Sequence, residues 1–221
     1  MRLGVISDIH ANRVALDAVL EDMPAVDALA NAGDVVGYNP WPAACVRAIR
    51  ERDVPTVMGN HDRAVVTGTP FRFNRLAAAG VEYARDRLEE GARAWLSELP
   101  DRRTLADGRV RVVHGHPADP DRYTYPGEFS PSMLGDESLL VTGHTHVQGH
   151  RTFDEGVVMN PGSVGQPRDG DPRAAYAVVD LDEDPPAVEE RRVSYDVEEV
   201  VTAVREAGLP ERIGERLYEG Q

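Results

Sequence analysis

Short apolar runs alternate along the chain with stretches in which apolar residues recur at helical spacing. The first run, Leu3–Ile6, predicts a buried strand, and Arg13–Asp22 predicts a helix because its apolar residues fall on one face. Further strands are predicted at Ala28–Ala30, Thr56–Met58, Val110–Val113, Leu139–Thr142 and Val157–Met159, with a helix at Ala43–Arg52. This order is typical of an α/β layer architecture. No long repeat or charge block interrupts it, so we predict one domain over residues 1–221.

Two segments depart from this alternation. Residues 72–99 are helical by composition and predict a helical insertion between two strands. Residues 174–218 predict a hairpin, whose strands flank the turn-forming Asp182–Pro186 and extend a second sheet, followed by helices. Asp196 and Glu199 have the spacing of a capping box at the start of the first of these helices.

The charge balance narrows the choice of partners. The chain has 24 basic residues, all of them arginine, against 38 acidic ones, which gives a net charge of −14. Such a surface repels polyanions, so long nucleic acid is not expected as a partner. A lysine-free, carboxylate-rich composition suits a cytoplasm of very high salt, where the screening length falls to about 3 Å at 1 M. Codon usage in a GC-rich genome is the alternative explanation.

Cysteine and apolar content indicate the compartment. The single cysteine, Cys45, excludes an intramolecular disulfide and is interpreted as a core residue. The longest apolar runs have only a few residues, whereas about 20 are needed to span a bilayer. Asp8 and His10 occur before an apolar stretch of signal-peptide length has accumulated. We therefore expect a cytoplasmic protein without a membrane segment, and the sequence leaves its oligomeric state open.

Five of the apolar runs are followed by small clusters of Asp, Asn or His, often beside glycine. The clusters are Ser7–His10, Gly33–Asp34, Gly59–Asp62, His114–His116 and Gly143–His146. Each cluster alone is a weak signal, but together they hold six of the seven histidines. The carboxyl ends of the strands in an open α/β sheet form one rim where ligands bind. We therefore expect the clusters to meet at a single site.

The spacing of the polar residues suits a metal ion. Asp8 and His10 are two positions apart at a strand end, so an extended backbone would point both side chains the same way, and His144 and His146 repeat the pattern. The donors are carboxylate, imidazole and one amide, with no thiolate. Such a mixed set suits Mn, Fe, Ni, Co or Zn better than Ca or Mg, and the sequence does not choose among them.

The ordered pattern Asp-x-His, Gly-Asp, Gly-Asn-His-Asp, His and Gly-His-x-His resembles that of the calcineurin-like metallophosphoesterases, from Leu3 to about Arg168. The segments Gly33–Tyr38, His114–Pro117 and Asn160–Arg168 are similar to those of the small prokaryotic phosphodiesterase/phosphatase branch. The resemblance implies a four-layer α/β/β/α sandwich of two mixed β-sheets flanked by helices, with a dinuclear metal centre.

The same resemblance implies the role of each ligand. It assigns Asp8, His10 and His146 to one metal, Asn60, His114 and His144 to the other, and Asp34 to both as a bridge. Two divalent transition-metal ions would occupy these positions, and manganese is the metal expected before the others. A shared anionic ligand is what a two-metal site with ions about 3.5–4 Å apart requires, and its cations attract phosphate despite the acidic surface.

The expected activity is hydrolysis of a phosphodiester or phosphomonoester in a small phosphorylated substrate by metal-bound hydroxide. His61 is the candidate general acid, because imidazole can protonate a leaving oxygen near neutral pH and the family assigns that role to this motif histidine. Asp62 either orients His61 or stabilises a turn by accepting backbone N–H groups.

The candidate substrate-binding residues are Asn60, His61, His116 and Arg168. His116 either reaches the site from the same loop as His114 or remains an exposed side chain. Arg168 either clamps a phosphate oxygen through its planar guanidinium or pairs with Asp169 or Asp171. His150 is interpreted as structural.

Other functions fit the sequence less well. The main alternative is a non-catalytic protein-interaction module on the same fold, but the chain keeps His61 and every expected ligand. A metallo-β-lactamase-like hydrolase would require an Asp between residues 144 and 150, and a dinucleotide oxidoreductase would require a glycine-rich turn after the first strand. Gly37 and Tyr38 stand where phosphoprotein phosphatases have Asp and Arg, which disfavours phosphoprotein substrates. Phosphodiesters, nucleotides and small phosphomonoesters remain, with the 72–99 insertion as a candidate lid.

Overall fold

Two mixed β-sheets form the centre of the fold in the computed structural model, which describes residues 1–68 and 73–221. The strands of the first sheet lie in the order β2 (Ala28–Asn31), β1 (Arg2–Ile6), β8 (Ala174–Asp180) and β9 (Ala187–Val193). The parallel pair is β1 with β2, and the other two pairs are antiparallel. The C-terminal hairpin therefore extends the sheet that contains the first strand of the chain.

The second sheet has five strands. They lie in the order β3 (Arg102–Leu105), β4 (Val110–Val113), β5 (Leu139–Val141), β7 (Gly156–Asn160) and β6 (Gly149–Phe153). The three central strands β4, β5 and β7 are parallel, and the two outer strands are antiparallel to their neighbours. The carboxyl ends of the central strands thus lie at one edge of the sheet.

The main core lies between the two sheets. Because side chains alternate across a strand, Leu3 and Val5 of β1 point to the same face and pack with Val110 and Val112 of β4 in one buried cluster. A second cluster joins the other face of the first sheet to the α-helices, with Ile6 among its fully buried members. Apolar side chains thus hold the two sheets face to face.

Seven α-helices accompany the sheets in the part of the chain that the structure describes. They are α1 (Arg13–Asp22), α2 (Pro42–Glu51), α3 (Asn60–Thr67), α4 (Arg75–Arg87), α5 (Glu90–Ser97), α6 (Val197–Glu206) and α7 (Arg212–Glu215). Asn12 caps α1 by accepting the N–H of Ala15, and Asp196 caps α6 by accepting the N–H of Glu199. Both caps satisfy amides that a helix start leaves unpaired.

Short 3₁₀ helices, in place of α-helices, cover the outer face of the second sheet. Two short 3₁₀ helices, Pro126–Glu128 and Pro131–Met133, place Phe129 and Met133 against Leu140 of β5. The predicted four layers are therefore present, with 3₁₀ helices forming the fourth. Among residues 1–68 and 73–221, no helix is long and apolar enough to cross a bilayer.

The structure differs from the prediction at three places where strands were expected or missed. Thr56–Met58 is not a strand, because only Thr56 pairs with β2, through a single bridge to Asn31, before the chain turns at Gly59 into α3. The strands β3 and β6 were not predicted, since their sequences are mostly polar and lack apolar alternation. The predicted helical insertion contains α4 and α5, while its first residue, 72, lies outside the described residues.

Candidate metal centre

The predicted ligands meet at one edge of the two sheets. Asp8 and His10 follow β1, Asp34 follows β2, His114 follows β4, His144 and His146 follow β5, and Asn60 begins α3. All except Asn60 are buried. Strand ends far apart in sequence therefore deliver carboxylate, imidazole and amide groups to one small volume, as the strand-end clusters predict.

The backbone conformation at these positions differs from the prediction. Asp8 and His10 have φ angles of 53° and 47°, and His144 and His146 have φ angles of 68° and 61°. The expectation that an extended backbone points each pair the same way is therefore wrong. Left-handed conformations cost a non-glycine residue about 1–2 kcal/mol each. Such strain is typical of functional sites, where the surrounding structure holds it in place.

One group of donors consists of Asp8, His10 and His146. The Nε2 atoms of His10 and His146 lie 3.0 Å apart, and Nε2 of His146 lies 3.3 Å from Oδ1 of Asp8. This Oδ1 atom is buried and has no hydrogen-bond partner among the described residues. A buried carboxylate oxygen without a donor costs free energy unless something else binds it. The donor set therefore fits a cation shared by these three side chains.

The second group consists of Asp34, His114, His144 and Asn60. Oδ1 of Asn60 lies 3.1 Å from Nε2 of His114, which in turn lies 3.5 Å from Oδ2 of Asp34. The same Oδ2 atom lies 3.6 Å from Nε2 of His10 in the first group. One carboxylate oxygen is thus placed between the two groups, the position that a bridging ligand requires.

Backbone carbonyls orient the imidazole rings. The Nδ1 atoms of His10, His114 and His146 donate to the carbonyl oxygens of Val36, Ala32 and Gln166 at 3.1, 2.8 and 2.6 Å. In the neutral ring this places the lone pair on Nε2, which faces the other donors. His144 instead uses Nε2 to donate to a backbone carbonyl at 3.2 Å. Hydrogen bonds of this kind fix ring orientation in metal sites.

The charges of the cluster favour cation binding. Burial lowers the pKa of His10 well below its usual value and that of His144 to about 3, so both rings are neutral at pH 7. Burial acts to raise the pKa of Asp34, but His114 and His61 outweigh it and hold the carboxyl ionised. Despite burial, Asp34 raises the pKa of His114 to about 9. Coordination by His114 therefore requires the release of one proton.

His61 lies beside both groups at the start of α3. Its backbone N–H donates to Oδ1 of Asp34 at 2.8 Å, and its ring lies 4.7 Å from those of His10 and Tyr38. Its Nδ1 atom is buried and has no hydrogen-bond partner among the described residues. Burial and, to a smaller extent, Arg168 lower its pKa to about 4, although Asp34 opposes the shift. The ring is therefore neutral at pH 7 in the protein without substrate.

Asp62 stabilises the turn that precedes α3. Its carboxylate accepts the backbone N–H groups of Gly59 at 3.1 Å and Val36 at 3.2 Å. This geometry favours the turn-stabilising role over the orientation of His61. Burial, followed by the nearby charge of Asp34, raises the pKa of Asp62 to about 7.

Arg168 lies at the edge of the centre, beside Tyr38. Its Nη2 atom donates to Oε1 of Gln166 at 2.6 Å and to the Tyr38 hydroxyl at 3.1 Å. The alternative ion pairs do not form, because Asp169 binds Arg192 and Asp171 binds the guanidinium of Arg173. Arg168 therefore remains a candidate for binding a phosphate oxygen.

The remaining predicted side chains lie outside the two donor groups. Nδ1 of His116 accepts the N–H of Ala118 at 3.1 Å in a turn, so a role for His116 in substrate binding stays a prediction. His150 lies 2.6 Å from Glu190 on the surface, and its structural role stays a prediction. Cys45 is fully buried in the core, and burial raises the pKa of its thiol.

Two aromatic residues that line the centre were not predicted from the sequence. The Tyr38 ring packs edge-on against His10 at 4.8 Å, and the Tyr123 ring lies 4.0 Å from that of His144. Tyr38 belongs to a segment that carries the family resemblance, which is a signal for its importance. Tyr123 lies in a polar loop without any comparable signal.

Comparisons with known proteins identify the family of this chain. Residues 1–184 match the calcineurin-like phosphoesterase superfamily domain, and the chain belongs to this family. It is 36% identical to a metallophosphoesterase from Sphaerobacter thermophilus of known structure, with a TM-score of 0.86 and coverage of 100% of this chain and 99% of the other. The uncharacterized protein MJ0912 of Methanocaldococcus jannaschii is 32% identical over 99% of this chain and 98% of its own. Phosphodiesterase YfcE of Escherichia coli K12 is 27% identical over 82% of this chain and 89% of its own length.

Proposed function

We propose that this protein is a hydrolase of phosphodiester or phosphomonoester bonds that depends on two divalent transition-metal ions, manganese first. One observation carries the proposal: Oδ2 of Asp34 lies 3.6 Å from Nε2 of His10 and 3.5 Å from Nε2 of His114, between two groups of donors. Membership of the phosphoesterase family and the similarity to a phosphodiesterase give it further support.

The seven predicted ligands divide between two cation positions. Asp8, His10 and His146 would hold one ion, Asn60, His114 and His144 the other, and Asp34 both. When bound, two such ions polarise phosphoryl oxygens and lower the pKa of water from 15.7 toward about 7. The mixed nitrogen and oxygen donors fit manganese, iron, nickel, cobalt or zinc.

His61 supplies the proton for the leaving group in this proposal. Its ring lies beside His10 at the edge of the donor cluster, and its Nδ1 atom is unpaired among the described residues. The neutral ring must first bind a proton, and the negative charge of a bound phosphate favours the protonated form. The same histidine then donates this proton to the departing oxygen.

Arg168 and Tyr38 position the substrate. The guanidinium of Arg168 donates one hydrogen bond to the Tyr38 hydroxyl and keeps further N–H groups on its fork for a phosphate oxygen. Tyr38 in turn packs against His10 and His61, so a change at the arginine is transmitted to the catalytic ring. We assign the two residues to binding and orientation.

The expected substrate is a small phosphorylated molecule in the cytoplasm. A net charge of −14 disfavours long nucleic acid because the surface repels polyanions. The buried donor cluster suits a single phosphoester group, with Arg168 at its edge.

Chelation and reloading test the proposal. Protein dialysed against EDTA should lose hydrolysis of p-nitrophenyl phosphate and bis-p-nitrophenyl phosphate by at least about 100-fold, and added Mn²⁺ should restore it. A reloading series with Fe, Co, Ni, Zn and Mg then ranks the metals. Full activity after chelation would contradict metal dependence. A manganese-loaded protein that hydrolyses no mono-, di- or nucleotide phosphoester would refute the function.

A further inference from the structure

Two arginines lie close together beside Tyr38. Nη2 of Arg168 donates to the Tyr38 hydroxyl at 3.1 Å. Leu217, the neighbour of Arg216, packs in one buried cluster with Tyr38. Arg168 lies in the loop that follows β7, whereas Arg216 lies in the last 3₁₀ helix, Arg216–Tyr218. Residues distant in sequence therefore bring two cations to the neighbourhood of Tyr38.

The two guanidinium groups lack an anionic partner. Within residues 1–68 and 73–221, no carboxylate lies within 4 Å of either group, although nearby arginines do form such pairs, as with Arg212 and Glu215 at 3.8 Å or Arg173 and Asp171 at 2.6 Å. Both side chains are half-buried. Burial and the charge of Arg168 lower the pKa of Arg216, as expected for like charges held close together.

Other half-buried arginines of this chain do have such a partner. Arg63, Arg111, Arg191 and Arg192 each lie within 4 Å of a carboxylate. Two half-buried cations without one are costly, and a bound anion offsets that cost. The position points to a ligand of negative charge.

The Tyr38 ring separates the arginine pair from the metal centre. The Tyr38 ring packs against His10 at 4.8 Å and His61 at 4.7 Å, while its hydroxyl accepts a hydrogen bond from Arg168. The Tyr123 ring also adjoins the centre, because it lies 4.0 Å from that of His144. A group bound by the arginines would therefore lie beside the phosphate at the metals without coinciding with it.

We propose that Arg168 and Arg216 form a subsite for a second phosphate group of the substrate. The planar guanidinium fork matches phosphate oxygens and can bind two of them at once. The inferred substrates are phosphate esters with two phosphate groups, such as nucleoside diphosphates or bisphosphates. The inference rests on the proposed function for the place of the first phosphate. Arg216 lies beyond residue 184, outside the region that matches the family domain.

Binding of three nucleotides tests the subsite. Adenosine 5′-monophosphate, adenosine diphosphate and adenosine 3′,5′-bisphosphate share the same nucleoside, so differences among them report the second phosphate and its spacing. Dissociation constants are measured by calorimetry with Mn²⁺ in constant excess, and KM replaces Kd for any nucleotide that is hydrolysed. The variants are Arg216→Gln, Arg216→Lys and the control Arg212→Gln. Arg212 is an exposed arginine one turn away, so the control removes the same charge from the same segment.

In the wild type and in R212Q, at least one of the two-phosphate nucleotides should bind at least about tenfold more tightly than the monophosphate. R216Q should reduce this preference to below about threefold and change the monophosphate constant by less than about twofold. R216K, which keeps the charge but not the fork, should fall between them. An unchanged monophosphate constant also reports that the variant is folded.

Three results would overturn the subsite: equal binding of all three nucleotides by the wild type, an equal loss for every nucleotide in R216Q, or the same loss in R212Q. If R216Q fails to fold, R216K provides the test. A lysine variant that keeps the full preference for two-phosphate nucleotides would contradict a role for the Arg216 guanidinium. A lysine variant that loses this preference completely would support it. If the protein hydrolyses phosphoesters but binds all three nucleotides equally, the subsite is refuted and the proposed function stands. If it prefers two-phosphate nucleotides but hydrolyses no phosphoester, the proposed function is refuted and the subsite stands.

Discussion

Individual side chains determine what the centre can bind. Asp8 and His10 are held in left-handed conformations by backbone hydrogen bonds of 2.9 Å from their N–H groups to the carbonyls of Gly33 and Asp34. These bonds join the loops after β1 and β2 at the point where the donors meet. The strain of about 1–2 kcal/mol per residue persists because both loops are fixed by the sheets behind them.

At the residue scale we expect His61→Asn to lower kcat for phenyl phosphate, whose poor leaving group needs a proton, by about 100-fold or more, the usual contribution of a positioned general acid. Metal content should remain unchanged, because His61 lies outside the predicted ligand set. The matched control is His150→Asn, which removes a surface histidine paired with Glu190 and should leave kcat within about twofold. Loss of metal in His61→Asn would instead make His61 a ligand.

The role of His61 as general acid also predicts the direction in which activity changes with pH. Only the protonated ring can donate a proton, so activity falls as pH rises through the pKa of His61. That pKa is about 4 in the free protein, and a bound phosphate raises it. Since kcat/KM reports the free enzyme and kcat the substrate complex, kcat/KM should begin to fall at lower pH than kcat. A pH profile of His61→Asn that keeps this limb would exclude the role.

Much of the site was predictable from the residues themselves. Imidazole and carboxylate beside glycine at strand ends are informative because parallel strands bring their carboxyl ends to one edge. The backbone angles were not predictable, since alternation in an extended chain gives no information about the turn after it. Arg216 was also not predictable as part of the site. Its position depends on how the last helix packs, and one arginine among many carries no distinguishing pattern.

At the scale of elements, close packing of α4 against the loop before α2 positions Tyr38. A Cβ atom on Gly80 of α4 would lie 2.1 Å from the Tyr38 backbone nitrogen and 2.5 Å from its Cα. Glycine at this position therefore lets the helix approach the backbone that carries Tyr38. The predicted insertion thus supports the wall of the site.

We expect Gly80→Ala to lower the free energy of unfolding by about 1–3 kcal/mol, because the helix and the Tyr38 backbone must move apart. Gly91→Ala in α5 is the matched control, since a Cβ atom on Gly91 would have no neighbour within 4 Å and alanine favours helix by up to about 1 kcal/mol. Urea denaturation of the two variants measures the difference. Equal stability of Gly80→Ala and Gly91→Ala would show that α4 is free to shift.

The elements were predictable to the extent that they were apolar. The predicted bounds of α1 are those of the structure, and β1 differs from its prediction by one residue. The strands β3 and β6 were not predicted because they lie at sheet edges. One side of an edge strand is exposed, so polar side chains such as Arg102 and Arg151 are tolerated there. The sheet joined by the C-terminal hairpin depends on long-range pairing of β8 with β1, for which local periodicity contains no information.

At the scale of the whole molecule, charge is the dominant feature. A net charge of −14 without lysine produces self-repulsion that salt screens. The screening length falls from about 10 Å at 0.1 M to about 3 Å at 1 M, so the repulsion between surface carboxylates weakens strongly over this range. Salt is therefore expected to stabilise the folded chain.

We expect the Tm to rise by about 5 °C or more between roughly 0.1 and 2 M KCl at pH 7, measured by circular dichroism. The rise should shrink near pH 5, close to the isoelectric point of about 4.9, because the net charge is then small. A Tm that is independent of KCl at pH 7 would leave codon usage as the explanation of the lysine-free composition.

The most direct test of the account is the number of manganese ions retained per chain after gel filtration, measured by inductively coupled plasma mass spectrometry. We expect two ions in the wild type and in Asp17→Asn, an exposed control on α1 that pairs with Arg13. Asp34→Asn should lose both ions together, because its carboxylate adjoins both groups of donors. Retention of one ion or none by the wild type, or of two by Asp34→Asn, would contradict a centre bridged by Asp34.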